Sequence, residues 1–279
     1  MAMRGSVVSR NPIPKVSQVL SPETDTYFNV DNWVRGLGFM ADHASQWPAL
    51  ASMSLRNELR EPDASSPAQP YTWNTWIENV LPAAEAIHGN NSDVLIFFSG
   101  LGYDTDDTYF IQRQTYNGAT FTPEAYDFRE NIVYEIHNYD NDATSCADDI
   151  EAPLYENAYC AMNLTDDACP NHGPVVMTEF GFDMSDGADS VYAQCIRSTV
   201  TGQPGGPGGW MQWVLSGSYY IREGIQDYEE TWGMYTIYRL DFGELVLTLR
   251  AGLLNHDWSD WRNATVIDEY VRPFVEAST

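Results

Sequence analysis

The sequence predicts an α/β protein built on a parallel sheet. Short apolar runs typical of strands buried on both faces alternate along the chain with helical stripes or long loops. No linker and no internal repeat divides the 279 residues, so we expect one large domain. Because strands that alternate with helices usually pair in parallel, the polar residues that follow them should meet at one edge of the sheet.

Two of the predicted strands run directly into a carboxylate. Apolar residues lead into Glu179 within Pro174–Asp183, and they lead into Glu58 within Ala49–Glu58. A buried charge is costly unless it is paired or used, so one such strand is equally well explained by a structural ion pair. Two strands that end in glutamate favour an acid and a nucleophile that face one cleft.

The first elements are a helix, a strand and a second helix. Asn29–Asp31 is predicted to cap a helix that Pro48 ends, and a strand follows at Leu50–Leu55. A second helical stripe begins at Trp73, and Pro82 inside it should kink or break the helix. The apolar positions of the two stripes are Trp33, Leu37, Met40, Ala44 and Trp47, then Trp73, Trp76, Ile77, Val80, Leu81, Ala84 and Ile87.

Four further strands are predicted, with a helix at Asp189–Thr201. The strands are Val94–Phe98, Ile132–Ile136, Val175–Glu179 and Trp210–Leu215. Parallel barrels and doubly wound sheets both place the active site at the carboxyl ends of their strands. No glycine-rich phosphate loop of the dinucleotide or nucleotide-triphosphate type is present. The polar residues at the predicted ends are Asn57, Glu58, Tyr103, Asp104, His137–Asp140, Glu179 and Ser216–Tyr220.

The composition excludes some partners. The formal net charge is −26 and Lys15 is the sole lysine, so the field of the protein repels nucleic acid and anionic lipid but is compatible with a neutral substrate. The aromatic fraction of 13%, together with the aliphatic content, argues against disorder. Many aromatic rings also suit stacking on sugar rings. We therefore expect no nucleic-acid partner and no membrane partner.

The cysteines and the glycosylation sequons favour a secreted protein with disulfides. The cysteine spacings match no zinc pattern, so we expect no metal and no cofactor. Four cysteines allow three pairings, and the sequence does not choose among them. The cysteines are Cys146, Cys160, Cys169 and Cys195, and the sequons begin at Asn90, Asn163 and Asn263.

The amino-terminal residues do not resemble the rest of the chain. Met1–Asp25 contains no apolar run long enough for a signal peptide. We expect residues 1–26 to be an atypical, poorly ordered segment and residues 27–275 to form the domain.

Four motifs, in order along the chain, resemble a known family. Together they resemble the fourth, sixth, seventh and eighth strand ends of glycoside hydrolase family 5, the cellulase family. The resemblance covers about Asp25 to Met234 and resumes at Gly252–Trp261. Two more segments, Ser218–Gly224 and Asp227–Glu230, look like the fungal branch. The four motifs are Ser54–Glu58, Ile136–Tyr139, Thr178–Gly181 and Trp210–Trp213.

The resemblance implies a fold and a pair of catalytic residues. Family members are (β/α)8 barrels, the TIM-type fold, and they are retaining hydrolases that use no metal. By the resemblance, Glu58 is the acid/base and Glu179 is the nucleophile. Retaining enzymes hold the two carboxyl groups roughly 5 Å apart, and the acid must keep its proton at the working pH.

The resemblance also implies four substrate-binding residues, and each has a structural alternative. Asn57 is placed to hydrogen-bond the sugar 2-hydroxyl, or it caps the end of its strand. Tyr139 is placed to orient Glu179, or it is a packed ring. His137 holds the substrate or the acid, or it is a core histidine. Trp213 is a stacking platform at the cleaved sugar, or it is part of the core.

The chain departs from the family pattern in two places. Thirty residues precede Asp31, too few for three β/α units of roughly 30 residues each. We therefore expect an incomplete barrel of strands four to eight, without the active-site arginine and histidine of strands two and three. Such a chain should be poorly stable and at best weakly active. The second departure, Met234–Ala251, is an atypical insertion, either a retained intron or a real surface loop.

The leading hypothesis is a secreted, monomeric glycoside hydrolase that acts on a β-linked glucan or a related polysaccharide. The alternative is a non-catalytic or decayed carbohydrate-binding relative, because catalytic parts from the first strands have no counterpart. A serine esterase is a weaker alternative, since Leu215–Ser218 lacks the pattern of a nucleophile elbow.

Overall fold

A computed structural model describes residues 28–59, 71–184, 187–215, 220–222, 225–227, 253–254 and 259–279. Nine strands lie within these ranges. They are β1 (Ser52–Ser54), β2 (Leu95–Ser99), β3 (Thr115–Tyr116), β4 (Ala119–Thr120), β5 (Ile132–Asn138), β6 (Val175–Phe180), β7 (Gly209–Gln212), β8 (Tyr220–Arg222) and β9 (Ile225–Asp227).

Five of the strands form one parallel sheet in the order β1-β2-β5-β6-β7. Each strand pairs with the next sheet strand along the chain, which is the order that successive β/α units produce. The predicted parallel sheet of five strands is confirmed. The other four strands form two antiparallel hairpins, β3-β4 and β8-β9, outside this sheet.

The boundaries of several sheet strands differ from the prediction. β1 and β7 are shorter than the predicted Leu50–Leu55 and Trp210–Leu215. β5 is longer than predicted, because it continues past Ile136 through His137 and Asn138. His137 and Asn138, which were predicted to follow this strand, are therefore its last two residues.

The helices lie between these strands and after them. In the described residues they are α1 (Val30–Ala44), α2 (Trp73–Asn90), α3 (Thr108–Ile111), α4 (Ala152–Asn157), α5 (Val191–Thr201), α6 (Ala264–Val266) and α7 (Arg272–Ala277). Wider helical turns at Cys146–Glu151 and Ile267–Val271 lead into α4 and join α6 to α7. Short 3₁₀ turns lie at Pro123–Ala125, Arg129–Asn131, Tyr159–Met162 and Gly187–Asp189.

Helix α1 begins at its predicted cap and packs against α2. The side chain of Asn29 accepts a hydrogen bond from the backbone N–H of Asn32 at 2.8 Å. Gly38 allows close approach, since a Cβ there would lie 3.1 Å from the side chain of Asn90. The prediction that Met40 and Trp47 belong to the buried stripe is wrong, because they are 43% and 40% exposed. The helix buries the face that contacts α2 and the sheet, and it ends at Ala44, before Trp47.

Helix α2 continues through Pro82, so of the two predicted outcomes, a kink or a break, the break is excluded. A proline removes the hydrogen bond to the carbonyl four residues earlier, which here belongs to Glu78. Glu78 is exposed, so its carbonyl lies on the side of the helix that solvent reaches. The apolar residues predicted for this helix pack against the sheet, and Trp76 donates its indole N–H to the carbonyl of Ser99 at 2.8 Å.

Aromatic rings fill the layer between the sheet and the helices. Phe98 of β2 contacts Phe110, Phe121 and Phe128, and Trp73 of α2 lies against Phe110. Large buried rings of this kind dominate the energetics of a core. The sheet strands that bear the polar residues are therefore held on a well-packed layer.

Two disulfides join the four cysteines. Cys146 is bonded to Cys195, and Cys160 is bonded to Cys169. The predicted disulfides are confirmed, and the first of them joins Cys195 on α5 to the turn Cys146–Glu151 after β5. The tertiary structure selects one pairing out of three.

Several predictions fall outside the described residues. They concern residues 1–26, the insertion Met234–Ala251 and the segment Ser216–Tyr220 in part. Among the helices that the structure describes, none combines the length and the apolar character needed to cross a bilayer.

Candidate active site

The carboxyl ends of three strands bring Glu58, His137 and Glu179 together. Glu58 follows β1, while His137 lies in β5 opposite Glu179 of β6 in the parallel register. One oxygen of each glutamate and one ring nitrogen of His137 all lie within 4.8 Å of one another. The two glutamates that the strand pattern singled out are thus direct neighbours in the fold.

His137 is the centre of this group and is only 2% exposed. Its Nδ1 lies 3.3 Å from an oxygen of Glu58 and 3.9 Å from an oxygen of Glu179. On the other side of the ring, Nε2 lies 3.0 Å from the hydroxyl of Thr178. The imidazole therefore separates the carboxylate pair from a second polar group deeper in the sheet.

That second group fixes the hydrogen-bond role of Nε2 of His137. Glu135 is buried in β5 and accepts hydrogen bonds from Ser54 at 2.6 Å and from Thr178 at 2.7 Å. Because the hydroxyl proton of Thr178 points to Glu135, the Thr178 oxygen must accept the bond from His137. Nε2 of His137 is accordingly a donor, and Nδ1 faces the carboxylate pair.

The carboxylates around His137 hold it in its charged form. Burial alone lowers the pKa of His137, but the carboxylates of Glu135 and Glu58, followed by Asp104 and Glu179, raise the pKa to about 10. His137 is therefore an imidazolium at neutral pH. It supplies one positive charge to a site that contains several carboxyl groups.

Glu179 is positioned by the hydroxyl of Tyr139, which donates a hydrogen bond to its Oε2 at 2.8 Å. Burial raises the pKa of Glu179, while the charge of His137 and the Tyr139 hydrogen bond oppose that rise. Burial and the neighbouring charge of Glu179 also raise the pKa of Tyr139. Tyr139 consequently stays protonated and remains a donor to Glu179.

Asn57 and Trp213 lie at the edge of this group. Asn57 is exposed next to Glu58 in the chain. Trp213 follows β7 with its backbone N–H donating to the carbonyl of Phe180 at 2.8 Å, and its side chain is 39% exposed. In the part of the chain that the structure describes, neither side chain joins the hydrogen bonds around His137. Both remain open to a ligand.

Sequence reasoning did not assign a site role to Asp104, Glu135 or Thr178. Glu135 and Asp104 are 4% and 0% exposed, and burial raises the pKa of Asp104 well above its usual value. The available signal was a carboxylate inside the apolar run of β5. The direction in which its side chain points, toward the site or away from it, depends on the register of neighbouring strands.

Glu58, His137 and Glu179 are also the one set in the described residues with the spacing of a metal site. Two carboxylates and an imidazole suit a divalent transition metal. However, a histidine ligand must be neutral, and the surrounding carboxylates favour the imidazolium of His137. The arrangement suits a carboxylate pair beside a cation better than a metal ligand set.

Comparisons of the sequence identify related proteins. A model of the cellulase family, described as glycosyl hydrolase family 5, matches residues 36–214. A glycosyl hydrolase 5 family protein from Chamaecyparis obtusa is 31% identical to this chain over 254 residues. The match covers 87% of this chain and 38% of that relative, so the chain spans less than half the relative's length.

Solved structures share the fold at low sequence identity. The catalytic domain of the major endoglucanase from Xanthomonas campestris pv. campestris has a TM-score of 0.52 and 14% identity, covering 92% of this chain and 64% of that one. The endocellulase from the archaeon Pyrococcus horikoshii has a TM-score of 0.53 and 15% identity, covering 91% and 64%. The five-stranded parallel sheet is an incomplete (β/α)8 barrel, as predicted. The fungal origin stays a prediction.

Proposed function

This chain belongs to the cellulase family, glycosyl hydrolase family 5, and we propose that it hydrolyses a β-linked glucan or a related polysaccharide with retention of configuration. The observation that supports retention is the separation of the carboxyl groups. An oxygen of Glu58 and an oxygen of Glu179 lie within 4.8 Å of each other. Retaining enzymes place the two groups about 5–5.5 Å apart, whereas inverting enzymes need about 6.5–9.5 Å for a water molecule.

The proposed reaction has two steps. Glu58 donates a proton to the oxygen of the leaving sugar while Glu179 attacks the anomeric carbon, which breaks the glycosidic bond and forms a glycosyl ester on Glu179. Glu58, now a carboxylate, then removes a proton from water. The water oxygen attacks the anomeric carbon from the face that the leaving sugar occupied and displaces Glu179. The product keeps its configuration, and both glutamates return to their first state.

His137 and Tyr139 support the nucleophile in this scheme. Glu179 must be ionised to attack, but burial raises its pKa. The positive charge of His137 and the hydroxyl of Tyr139 both favour the ionised form. Asn57 and Trp213 are proposed to bind the sugar, Asn57 through the 2-hydroxyl and Trp213 by stacking, since both side chains are accessible.

A polysaccharide fits the other properties of the chain. A net charge of −26 is compatible with a neutral glycan and unfavourable for nucleic acid. The structural relatives named above are an endoglucanase and an endocellulase. Two disulfides fit an oxidising compartment, so we propose that the protein is secreted and acts as a monomer.

The decisive experiment follows the anomeric configuration of the product by proton NMR during hydrolysis of an aryl β-cellobioside. Retention predicts that the β-anomer appears first and the α-anomer later, by mutarotation. A fluorinated cellobioside inactivator should label Glu179, which peptide mass spectrometry detects. Initial release of the α-anomer would exclude retention, and glycan binding without turnover of any β-glycoside would favour the non-catalytic alternative.

The pH profile offers a separate test of the Tyr139 contact. The acid limb of kcat/KM should follow ionisation of Glu179, and the raised pKa of this carboxyl places that limb above the usual range of a glutamate. The Tyr139 hydrogen bond lowers this pKa, so Tyr139→Phe should raise it further and move the acid limb to higher pH. The measurement is kcat/KM for one aryl glycoside from pH 3 to pH 9, at intervals of about half a pH unit.

Tyr155→Phe is the matched control for that experiment. Tyr155 of α4 donates the same kind of hydroxyl–carboxylate hydrogen bond, to Asp166 at 2.7 Å. The control should leave the acid limb where it is. An unchanged limb in Tyr139→Phe, or a shift to lower pH, would contradict the proposed contact with the nucleophile.

A further inference from the structure

We infer that Asp104 is a positioning residue that holds the acid/base Glu58 in its working orientation. This inference rests on the proposed function for the identity of the acid, and on the structure for the contacts. Asp104 lies in the loop Gly100–Asp107 after β2 (the β2 loop), whereas Glu58 follows β1.

The side chain of Asp104 is bonded to the backbone of the acid itself. Its Oδ2 accepts the backbone N–H of Glu58 at 2.7 Å, and the residue is 0% exposed. Glu58 has a φ of +49°, in the left-handed region, where a residue with a Cβ is strained. The buried bond from Asp104 offsets that strain at the residue that must aim the proton.

The backbone of the β2 loop makes two more bonds to the site. The carbonyl of Asp104 accepts the N–H of His137 at 2.8 Å, and the N–H of Tyr103 donates to the carbonyl of Leu59 at 2.9 Å. One short loop therefore contacts the residue after Glu58, Glu58 itself and the imidazole residue of β5. Asp104 Oδ2 also lies 3.8 Å from Nε2 of His137.

The β2 loop is itself tightly constrained. Gly102, Tyr103 and Asp104 are consecutive residues in the left-handed region, with φ of +60°, +65° and +57°. Leu101 and Asp106 form an antiparallel bridge across the loop. A loop with this defined backbone is suited to positioning a carboxylate.

Removal of Asp104 should affect one half of the reaction selectively. The nucleophile Glu179 is held by Tyr139, and that contact does not involve Asp104. Loss of the Asp104 carboxylate should therefore disturb proton donation and leave nucleophilic attack intact. Proton donation matters for a poor leaving group, such as a sugar, and matters little for a dinitrophenolate, which departs without a proton.

The test compares kcat/KM, which reports the first step alone, for dinitrophenyl β-cellobioside and for a glucan oligosaccharide in wild type, Asp104→Ala and Asp104→Asn. Asp104→Ala should lower kcat/KM on the oligosaccharide on the order of 100-fold and leave that of the dinitrophenyl substrate within a few-fold. Asp104→Asn keeps an acceptor oxygen for the Glu58 N–H and should recover most of the lost activity. Equal losses on both substrates would overturn the inference, as would full activity of Asp104→Ala.

Two measurements separate this inference from the proposed function. Hydrogen exchange at the backbone amide of Glu58, followed by mass spectrometry at the level of single residues, should quicken in Asp104→Ala and not in Asp104→Asn. This measurement does not require turnover. If the wild type is inactive, the proposed hydrolase activity is refuted, but the exchange rate still shows whether Asp104 holds the backbone N–H of Glu58. Unchanged exchange in Asp104→Ala would refute the contact.

Thr105→Ala is the matched control within the same loop. Thr105 is exposed and donates its hydroxyl to the carbonyl of Gly102 at 2.7 Å, so it supports the β2 loop without contacting Glu58. The control should leave both substrates and the exchange at Glu58 unchanged. A leaving-group effect as large as that of Asp104→Ala would assign the effect to loop flexibility and refute the specific role of Asp104.

Discussion

Glu179→Gln is expected to lower kcat on the order of 10⁴-fold or more while leaving glycan affinity nearly intact. The amide is close in shape to the carboxylate and still accepts the Tyr139 hydroxyl bond that is 2.8 Å long in the wild type. It cannot attack the anomeric carbon, so no glycosyl ester forms. Burial raises the pKa of the native carboxyl, so removing the charge should not lower the melting temperature. The measurements are turnover of an aryl glycoside, oligosaccharide affinity by calorimetry and thermal unfolding.

Glu130→Gln provides the control for this loss. Glu130 forms an exposed ion pair with Arg129 at 3.0 Å, with its side chain 83% exposed. Such a pair contributes little, so the control should keep wild-type turnover and stability. Turnover by Glu179→Gln close to that of wild type would exclude Glu179 as the nucleophile.

Gly100→Ala is expected to destabilise the fold by about 3 kcal/mol or more. A Cβ at this position would lie 1.9 Å from the carbonyl oxygen of Asp106 and 2.6 Å from Oδ1 of Asp107. The first contact is with backbone, which cannot rotate away as a side chain does. The β2 loop would have to open, and Asp104 would move with it. Urea unfolding followed by tryptophan fluorescence gives the change in the free energy of unfolding.

Gly89→Ala is the matched substitution without a clash. Gly89 lies inside α2, and a Cβ there meets nothing within 4 Å. Alanine is a better helix former than glycine, so this variant should be more stable by about 0.5–1 kcal/mol. The prediction for the β2 loop fails if Gly100→Ala is as stable as the wild type.

Local signals in the sequence were sufficient for much of the fold. The parallel sheet, the cap at Asn29 and the apolar stripe of α2 follow from periodicity and from residue types at helix ends. The sequence-based predictions were wrong where the outcome depends on which residues pack around a position in the fold. Met40 belongs to the stripe by spacing but is exposed, and Pro82 lies within a continuous helix.

The candidate site was likewise predictable from the sequence only in part. Glu58 and Glu179 could be selected because each ends an apolar run, where a carboxylate is costly unless it is used. The resemblance to a family then supplied roles for His137 and Tyr139, which the geometry places in contact with those glutamates. The strand pattern placed Asp104 at the expected edge but gave it no role, because its bond to the N–H of Glu58 joins residues 46 positions apart in the chain.

The sequence by itself determined the class of the fold and singled out the two carboxylates through local patterns of apolar and polar residues, and its four motifs carried the resemblance to the family. The tertiary structure alone decided the pairing of Cys146 with Cys195, the charged state of His137 and the contact between Asp104 and Glu58. These depend on strand register, on burial and on the path of the β2 loop. Each is a property of groups that become neighbours when distant segments pack together, so no local pattern of residues encodes it.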